Sequence, residues 1–317
     1  MACVPLIALT HGLWAAGLLY NGERFGKALR SPSRDTMLAH ASAKMGRGYA
    51  FGLHKALDQC GALTGPLLIA AVLAIGGSYR LGFAVLAVPA LVALVVLVRL
   101  RAAAPDPTAY DPDAQIAEKK RLRLERRLPA RFWLYAAFSA ATMLGFSTWA
   151  VLAYHLIAAN VVRAAWVPVL YSGAMGAAGI AAFAFGRLYD WIGLRGLIVL
   201  PPLAAVVPFL SFSTTLLPVT AGAIVWGTAM GIHESTLRAA VTDLVPAHRR
   251  GAGYGNFTAI YGLAWLIGAA TIGVLYEHGT GSVQIFVAVT QILALALLIP
   301  LLRHTFRQHE GPAHAAS

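Results

Sequence analysis

Long apolar runs separated by short polar stretches dominate this chain. Nine runs have the length that a helix needs to cross a bilayer, about 20 residues; they lie at 10–29, 54–75, 79–98, 132–157, 165–185, 196–214, 216–236, 256–276 and 282–302. The runs lack the alternation of polar and apolar residues that is typical of outer-membrane barrel strands. The pattern predicts an all-α fold, a polytopic membrane helix bundle with about nine transmembrane helices.

Composition supports a membrane protein. Hydrophobic residues make up 58% of the chain and charged residues 12%, with a mean hydropathy of +0.67. A soluble domain has roughly twice that charged fraction. Cys3 and Cys60 form no CxxC, so no metal site or disulfide framework is predicted. The stretch GERFGKAL at 22–29 is not a P-loop, since no Ser or Thr follows its Lys. We therefore expect no cofactor and no enzymatic activity.

The net charge of +12 reflects topology and does not predict nucleic-acid binding. The chain has 25 Lys and Arg residues, and 23 of them lie in alternate polar stretches, at 24–55, 99–131, 187–195, 238–250 and 303–307. The opposite loops hold Arg80 and Arg163. Because positive loops stay in the cytoplasm, we expect a cytoplasmic C-terminus and, with nine spans, an N-terminus outside the cell (inner) membrane.

One long polar stretch, residues 101–131, divides the chain. It opens with Pro and Asp and continues into the run EKKRLRLERR. We expect a cytoplasmic linker, either as a solvated charge run or as a helix on the membrane surface. It separates a partial N-terminal bundle of three spans (1–100) from a six-helix C-terminal bundle (132–305), which is followed by a cytoplasmic tail (306–317).

The two parts contain similar segments at a spacing of 203 positions. RGYAFG at 47–52 aligns with RGAGYG at 250–255, and Gly65 aligns with Gly268. Upstream, MLAH at 37–40 aligns with AVTD at 240–243. Repeats of this kind are typical of transporters built from two related halves.

Two motifs give the chain a resemblance to a known family. GRLYDWIGLR at 186–195 fits the pattern G-x-L-x-D-x-x-G-x-R, the signature loop of the major facilitator superfamily. Gly52, Gly61, Gly65 and Pro66 fit that superfamily's antiporter pattern G-x8-G-x3-G-P-x2-G, except that Ile69 replaces the last glycine. The resemblance extends from about residue 10 to residue 305. It implies two pseudo-repeated helix bundles.

The resemblance also implies that helices are missing. The family has two six-helix halves, and residues 27–68 resemble its fourth-to-fifth helix region, so the first three helices and one signature loop are mostly absent. Residues 1–9 would be the tail of the third helix. A misassigned start, a truncated gene and a true nine-helix variant are the alternatives. A truncated, inactive remnant is accordingly the alternative to a working transporter.

The function implied by the resemblance is secondary transport. Two bundles would rock about a central site and carry a small molecule across the lipid bilayer, coupled to an ion, with protons favoured and efflux by antiport as one direction. Uptake, other ions and the oligomeric state stay open. A membrane-embedded enzyme is a distant alternative, because Ser147 and His155 lie about 12 Å apart along one helix, too far for a direct hydrogen bond.

Charged residues inside spans are the candidates for transport and coupling, because a charge near the bilayer centre costs about 2.5–3.5 kcal/mol on insertion scales. The candidates are Glu23, His54, Asp58, His233, Glu234 and Arg238. His54 and Asp58 lie one turn apart and form either a proton-binding pair or a structural hydrogen bond. Glu234 is the deepest carboxylate of the second half. HESTLR lacks the second His of the zinc motif H-E-x-x-H.

Residues near the cytoplasmic helix ends are candidates for gating: Arg24, Lys27, Arg34, Asp35, Gly186, Asp190, Gly193, Arg195, Asp243 and Arg250. Glu23 can pair with Lys27 at i,i+4, in a gate or as side chains that extend to the headgroups. The resemblance implies that Asp190 caps or pairs at a helix end, while Gly186 and Gly193 permit close approach and a tight turn. His40 replaces the Asp usual at its family position.

The glycine pattern is the remaining candidate feature. The resemblance implies that Gly52, Gly61, Gly65 and Pro66 form an antiporter-type helix seam. Ordinary packing of small residues is the alternative.

Overall fold

Helices account for nearly all of the described chain. The computed structural model describes residues 6, 9, 10, 12–76, 78–103, 128–163 and 166–309, and no strand occurs in that part. The helices are α1 (Leu13–Ala41), α2 (Arg47–Ala74), α3 (Tyr79–Val85), α4 (Ala87–Ala103), α5 (Ala130–Leu144), α6 (Trp149–Ala158), α7 (Val167–Ile192), α8 (Leu200–Ser211), α9 (Leu216–Leu244), α10 (Arg250–Glu277) and α11 (Thr280–His309). Two 3-10 segments, Gly193–Val199 and Ala247–Arg249, precede α8 and α10. Residues 104–127 of the predicted linker (101–131) and residues 310–317 of the predicted tail (306–317) lie outside the described residues.

Six stretches of the described chain are long and apolar enough to cross a membrane: Arg80–Ala102, Ala130–Ala158, Val167–Ser211, Leu216–Leu244, Ala247–Glu277 and Thr280–Arg303. They agree with the predicted polytopic helix bundle. Two of the predicted runs, at 165–185 and 196–214, fall within one of these stretches because the 3-10 segment joins α7 to α8 directly. The runs at 10–29 and 54–75 lie in α1 and α2, which are not among the six.

The run predicted at 132–157 is two helices instead of one. α5 ends at Leu144, and α6 begins at Trp149 after a short non-helical segment, residues 145–148. Gly145 allows the close approach of α11, because a Cβ there would overlap the Thr290 hydroxyl and come within 2.9 Å of Gln291 Nε2. Hydropathy does not reveal the break, because the whole stretch Ala130–Ala158 is still apolar enough to pass as one span.

Helix α7 is the centre of the packing. It contacts α2 on one side and α9 on the other, and α9 also packs against α2 and α8. On the α9 side the two backbones are in contact. A Cβ on Gly227 would overlap the carbonyl oxygen of Ala174, and a Cβ on Gly231 would overlap that of Ala178. Small residues at such positions let membrane helices approach closely.

The core beside α9 is aromatic. Tyr135 of α5 is fully buried, stacks on Phe257 of α10 with ring centroids 6.0 Å apart, and donates a hydrogen bond of 2.5 Å to the carbonyl oxygen of Leu237. The hydroxyl thereby keeps a partner inside the bundle, where an unpaired polar group would be costly. This packing holds α9 in place between α5 and α7.

Candidate functional site

Asp190 caps the N-terminus of α2. The backbone amides of Gly48 and Tyr49 each donate a 2.7 Å hydrogen bond to one of its carboxylate oxygens. The first amides of a helix have no partner inside the helix, and the helix dipole favours a negative charge there. Along the chain, Asp190 is 142 residues from Gly48 and 141 residues from Tyr49. The contact therefore joins the last turn of α7 to the beginning of α2.

Glycines bring the two backbones together at the same place. A Cβ on Gly186 would overlap the carbonyl oxygen of Gly48 and come within 3.0 Å of Gly52 Cα. Gly46 has φ +97°, and a Cβ there would come within 2.9 Å of Asp190 Cγ, so both its conformation and its space favour glycine. We call the contact of Gly48 and Gly52 with Ala182 and Gly186 the glycine seam.

Charged pairs link the same helix ends. Arg47 Nη1 lies 3.6 Å from Asp243 Oδ1, and the Tyr189 hydroxyl donates a 2.7 Å hydrogen bond to the other oxygen of Asp243. Arg250 Nη1 lies 3.0 Å from His40 Nδ1. Because a guanidinium has no acceptor, His40 must accept this hydrogen bond through an unprotonated Nδ1.

These pairs follow the 203-residue repeat. Arg47 is equivalent to Arg250, and Asp243 is equivalent to His40, so each arginine reaches the partner position of the other half. Asp35 is equivalent to Arg238, and these two residues contact each other directly, with 3.4 Å between Asp35 Oδ2 and Arg238 Nε. Asp35 also accepts from Arg34 at 2.7 Å. We call the contacts of Asp190, Asp243, His40 and Asp35 the latch.

An ion pair lies deeper between α2 and α9. Lys55 Nζ contacts Glu234 Oε2 directly and lies 3.2 Å from Asp58 Oδ2. The side chains of Lys55 and Glu234 are 11% and 15% exposed, whereas that of Asp58 is 43% exposed. Lys55 is therefore shared between a nearly buried carboxylate on α9 and a more solvated one on its own helix.

Comparison with known sequences assigns the chain to a family. The profile described as Major Facilitator Superfamily matches residues 1–269.

The chain belongs to this superfamily. It is 42% identical over 299 residues to three relatives: uncharacterized protein Mb2288 of Mycobacterium bovis, and uncharacterized proteins MT2327 and Rv2265 of two Mycobacterium tuberculosis strains. Each match covers 94% of this chain and 73% of the relative. Together with the apolar helices, the family makes the protein a multi-pass membrane transporter.

Within this superfamily member, the signature loop has the geometry of a helix end and a turn. Gly193 follows α7 with φ +59°, in the left-handed region that favours glycine, and Arg195 lies exposed in the 3-10 segment after it. The roles of these residues in gating stay predictions. Of the other gating candidates, Lys27 is exposed on α1 one turn after the half-buried Glu23, and the Arg24 side chain lies outside the described part.

The hydrogen bond expected between His54 and Asp58 does not form among the described residues, and their role in coupling stays a prediction. In the described chain, the hydrogen bond of Asp58 goes to Lys55 and not to His54. An ammonium three residues earlier on the same helix offers a full positive charge, which is a stronger partner for a carboxylate than a neutral imidazole. Lys55 is not among the residues that the sequence predicts for the site, although it is a lone lysine beside an apolar run.

The expected seam is also corrected in extent. Gly52 packs in it, but a Cβ on Gly61 or Gly65 would meet no described atom within 4 Å. At 100° per residue, Gly61 lies on the opposite side of α2 from Gly52, whereas Gln59 lies on the same side and its Cβ comes within 3.6 Å of a Cβ placed on Gly179. The Pro66 side chain lies outside the described part.

His233 and Glu234 face different surroundings although they are neighbours. Glu234 pairs with Lys55, whereas His233 is 1% exposed and its ring lies 5.0 Å from that of Phe146, between centroids. Among the described residues, neither ring nitrogen of His233 has a hydrogen-bond partner. No group of His, Cys, Asp and Glu suited to a metal ion occurs in the part of the chain that the structure describes.

Proposed function

We propose that the protein carries a small molecule across the cell (inner) membrane as a proton-coupled secondary transporter with rocker-switch alternating access. Export in exchange for protons is the direction that we propose. The observation that carries this proposal is the buried Lys55–Glu234 ion pair, which joins a helix before the linker to a helix after it. A costly intramembrane charge pair at such a boundary is typical of ion-coupled transport.

The latch supplies the two-state element that alternating access requires. All its contacts lie at the helix ends that the distribution of Lys and Arg assigns to the cytoplasm, next to the signature loop at 186–195. With the latch formed, the cytoplasmic side is closed. Rocking of the bundle that contains α2 against the bundle that contains α7 and α9 would break these contacts and open that side.

Proton binding to Glu234 would change the strength of the connection between the bundles. When Glu234 is ionised, it holds Lys55 across the α2–α9 boundary. When Glu234 takes up a proton, its attraction for Lys55 falls. Asp58, which lies on α2 with Lys55, can then hold the ammonium alone. The proton thereby favours the state in which α2 and α9 separate, which is the requirement for coupling.

The substitution Glu234→Gln tests this coupling. Glutamine keeps the size of the side chain but cannot exchange a proton, so we expect substrate-induced currents driven by a pH gradient to fall at least tenfold. The measurement is electrometry on proteoliposomes adsorbed to a solid support, with small organic anions and cations applied in turn. Glu277→Gln, at the exposed end of α10, is the matched control and should keep the wild-type currents.

Full pH-driven currents in Glu234→Gln would overturn the proton-coupling role of this residue. Loss of current in both variants would indicate general damage to the protein. A melting profile of each purified variant distinguishes the two outcomes.

A further inference from the structure

The break between α5 and α6 leaves backbone donors without a partner among the described residues at the start of α6. Helix α6 begins at Trp149 after Thr148, whose side chain makes no capping hydrogen bond. Among the hydrogen bonds of the described residues, the amides of Trp149 and Ala150 have no acceptor. The first amides of a helix, with the positive end of its dipole, form a ready binding position for a negatively charged group.

Two buried side chains without partners lie at this break. The ring of His233 packs against Phe146, two residues before Thr148, and the hydroxyl of Ser147 lies inside the break itself. Within the described chain, neither side chain makes a hydrogen bond. Trp226, two turns before His233 on the same face of α9, donates a 2.7 Å hydrogen bond to the Ser147 carbonyl oxygen, which fixes α9 against the break.

The unused groups have a common chemistry. A neutral imidazole donates through one nitrogen, a serine hydroxyl donates through its hydrogen, and the helix amides donate only. Leaving the buried His233 ring and Ser147 hydroxyl unpaired costs free energy, and a bound acceptor would offset that cost. A ligand that satisfies them carries acceptor oxygens and a negative charge.

Aromatic rings enclose the same position. Trp226 stacks on Phe146 with 6.1 Å between ring centroids and lies 5.3 Å from Trp149, which in turn lies 5.3 Å from Tyr171. Tyr171 is exposed. The rings therefore lead from the break toward the surface of α7 and offer an apolar, flat lining beside the donors.

We propose that the break at 145–148, with His233 and Ser147, recognises an organic anion that has an aromatic or apolar body. The carboxylate binds the α6 amides and His233, and the body lies against Trp149 and Trp226. The inference rests on the proposed transport of a small molecule, for which it names the class of substrate.

Benzoate and benzylamine form a matched pair of probes, because they share the ring and carry opposite charges. We expect benzoate, added to the purified protein in detergent, to quench the fluorescence of Trp149 and Trp226 saturably and to raise the melting temperature. Benzylamine should do neither. Equal or tighter binding of benzylamine would overturn the proposal.

His233→Leu is the decisive variant. Removal of a hydrogen-bond donor to a charged ligand should weaken benzoate binding roughly tenfold or more. The melting temperature of the free protein should not fall, because leucine removes an unpaired buried polar group. His278→Leu, on an exposed histidine after α10, should bind benzoate like the wild type.

Ser147→Ala provides a second reading if His233→Leu fails to fold, and we expect it to weaken benzoate binding several-fold. Unchanged affinity in the folded variants would overturn the site. This equilibrium assay needs no transport, so benzoate binding without proton-driven current would contradict the proposed coupling alone. If His233→Leu leaves the current that organic anions produce intact, that result would contradict this binding site but not the proposed transport.

Discussion

Replacing Lys55 by methionine should destabilise the protein more than any other substitution we describe. Lys55 is the cation that contacts Glu234 across the boundary between α2 and α9, where both side chains are nearly buried. Loss of one partner from a buried pair leaves an uncompensated charge and costs about 3–5 kcal/mol. We expect a correspondingly lower melting temperature, measured by the fluorescence of the purified protein on heating.

The position of Asp58 makes the effect asymmetric. Glu234→Met leaves Lys55 with its second carboxylate at 3.2 Å, so this substitution should destabilise the protein less than Lys55→Met. The double variant should recover most of the lost stability, because an apolar pair can replace a buried ion pair with little net cost. Equal effects of the two single substitutions, or no recovery in the double variant, would contradict this account of the charges.

Gly186→Ala should separate α7 from α2. One added methyl group would overlap the Gly48 carbonyl oxygen, which is backbone and cannot move away as a side chain can. Overpacking of this kind costs about 1–3 kcal/mol. We therefore expect a lower melting temperature and lost protection of the α2 N-terminal amides in hydrogen exchange, because the Asp190 cap depends on the same approach.

Gly176→Ala is the matched control for this prediction. Gly176 lies in the same helix, and a Cβ there would meet no described atom within 4 Å. Inside a helix, alanine is more favourable than glycine by up to about 1 kcal/mol. This variant should therefore be at least as stable as the wild type. Similar losses in both variants would mean that the glycine seam does not determine the packing.

Much of the helical architecture could be predicted from hydropathy, because each apolar run is about as long as a helix that crosses a bilayer. The break at 145–148 could not be predicted from hydropathy, although it has a local signal: Gly145 is the C-cap of α5 and Thr148 is the N-cap of α6. The division of α3 from α4 had a local signal: Pro89 conflicts with the carbonyl group of residue 85, where α3 ends.

The sequence predicted the positions of several site residues better than it predicted which of these residues contact each other. The motif at 186–195 singled out Asp190, and the 203-residue repeat singled out the region of Arg47 and Arg250. The repeat alone does not tell which chemical groups meet, and Lys55 entered the site only through the packing of α2 on α9. Three-dimensional contact, rather than residue type, distinguishes Lys55 from the many basic residues in the cytoplasmic loops.

The central claim is that the latch closes one side of the protein while the other side is open. The most direct test measures distances between spin labels in a Cys3→Ser, Cys60→Ser background. One pair, at the exposed residues Lys44 and Trp191, reports on the latch side; the other, at Ile75 and Ser172, reports on the opposite side.

Asp190→Asn weakens the cap of α2, so it should populate the state with an open latch side. The account predicts that this substitution lengthens the Lys44–Trp191 distance and shortens the Ile75–Ser172 distance in the same sample. Two distances that stay fixed, or that lengthen together, would contradict alternating access through this latch.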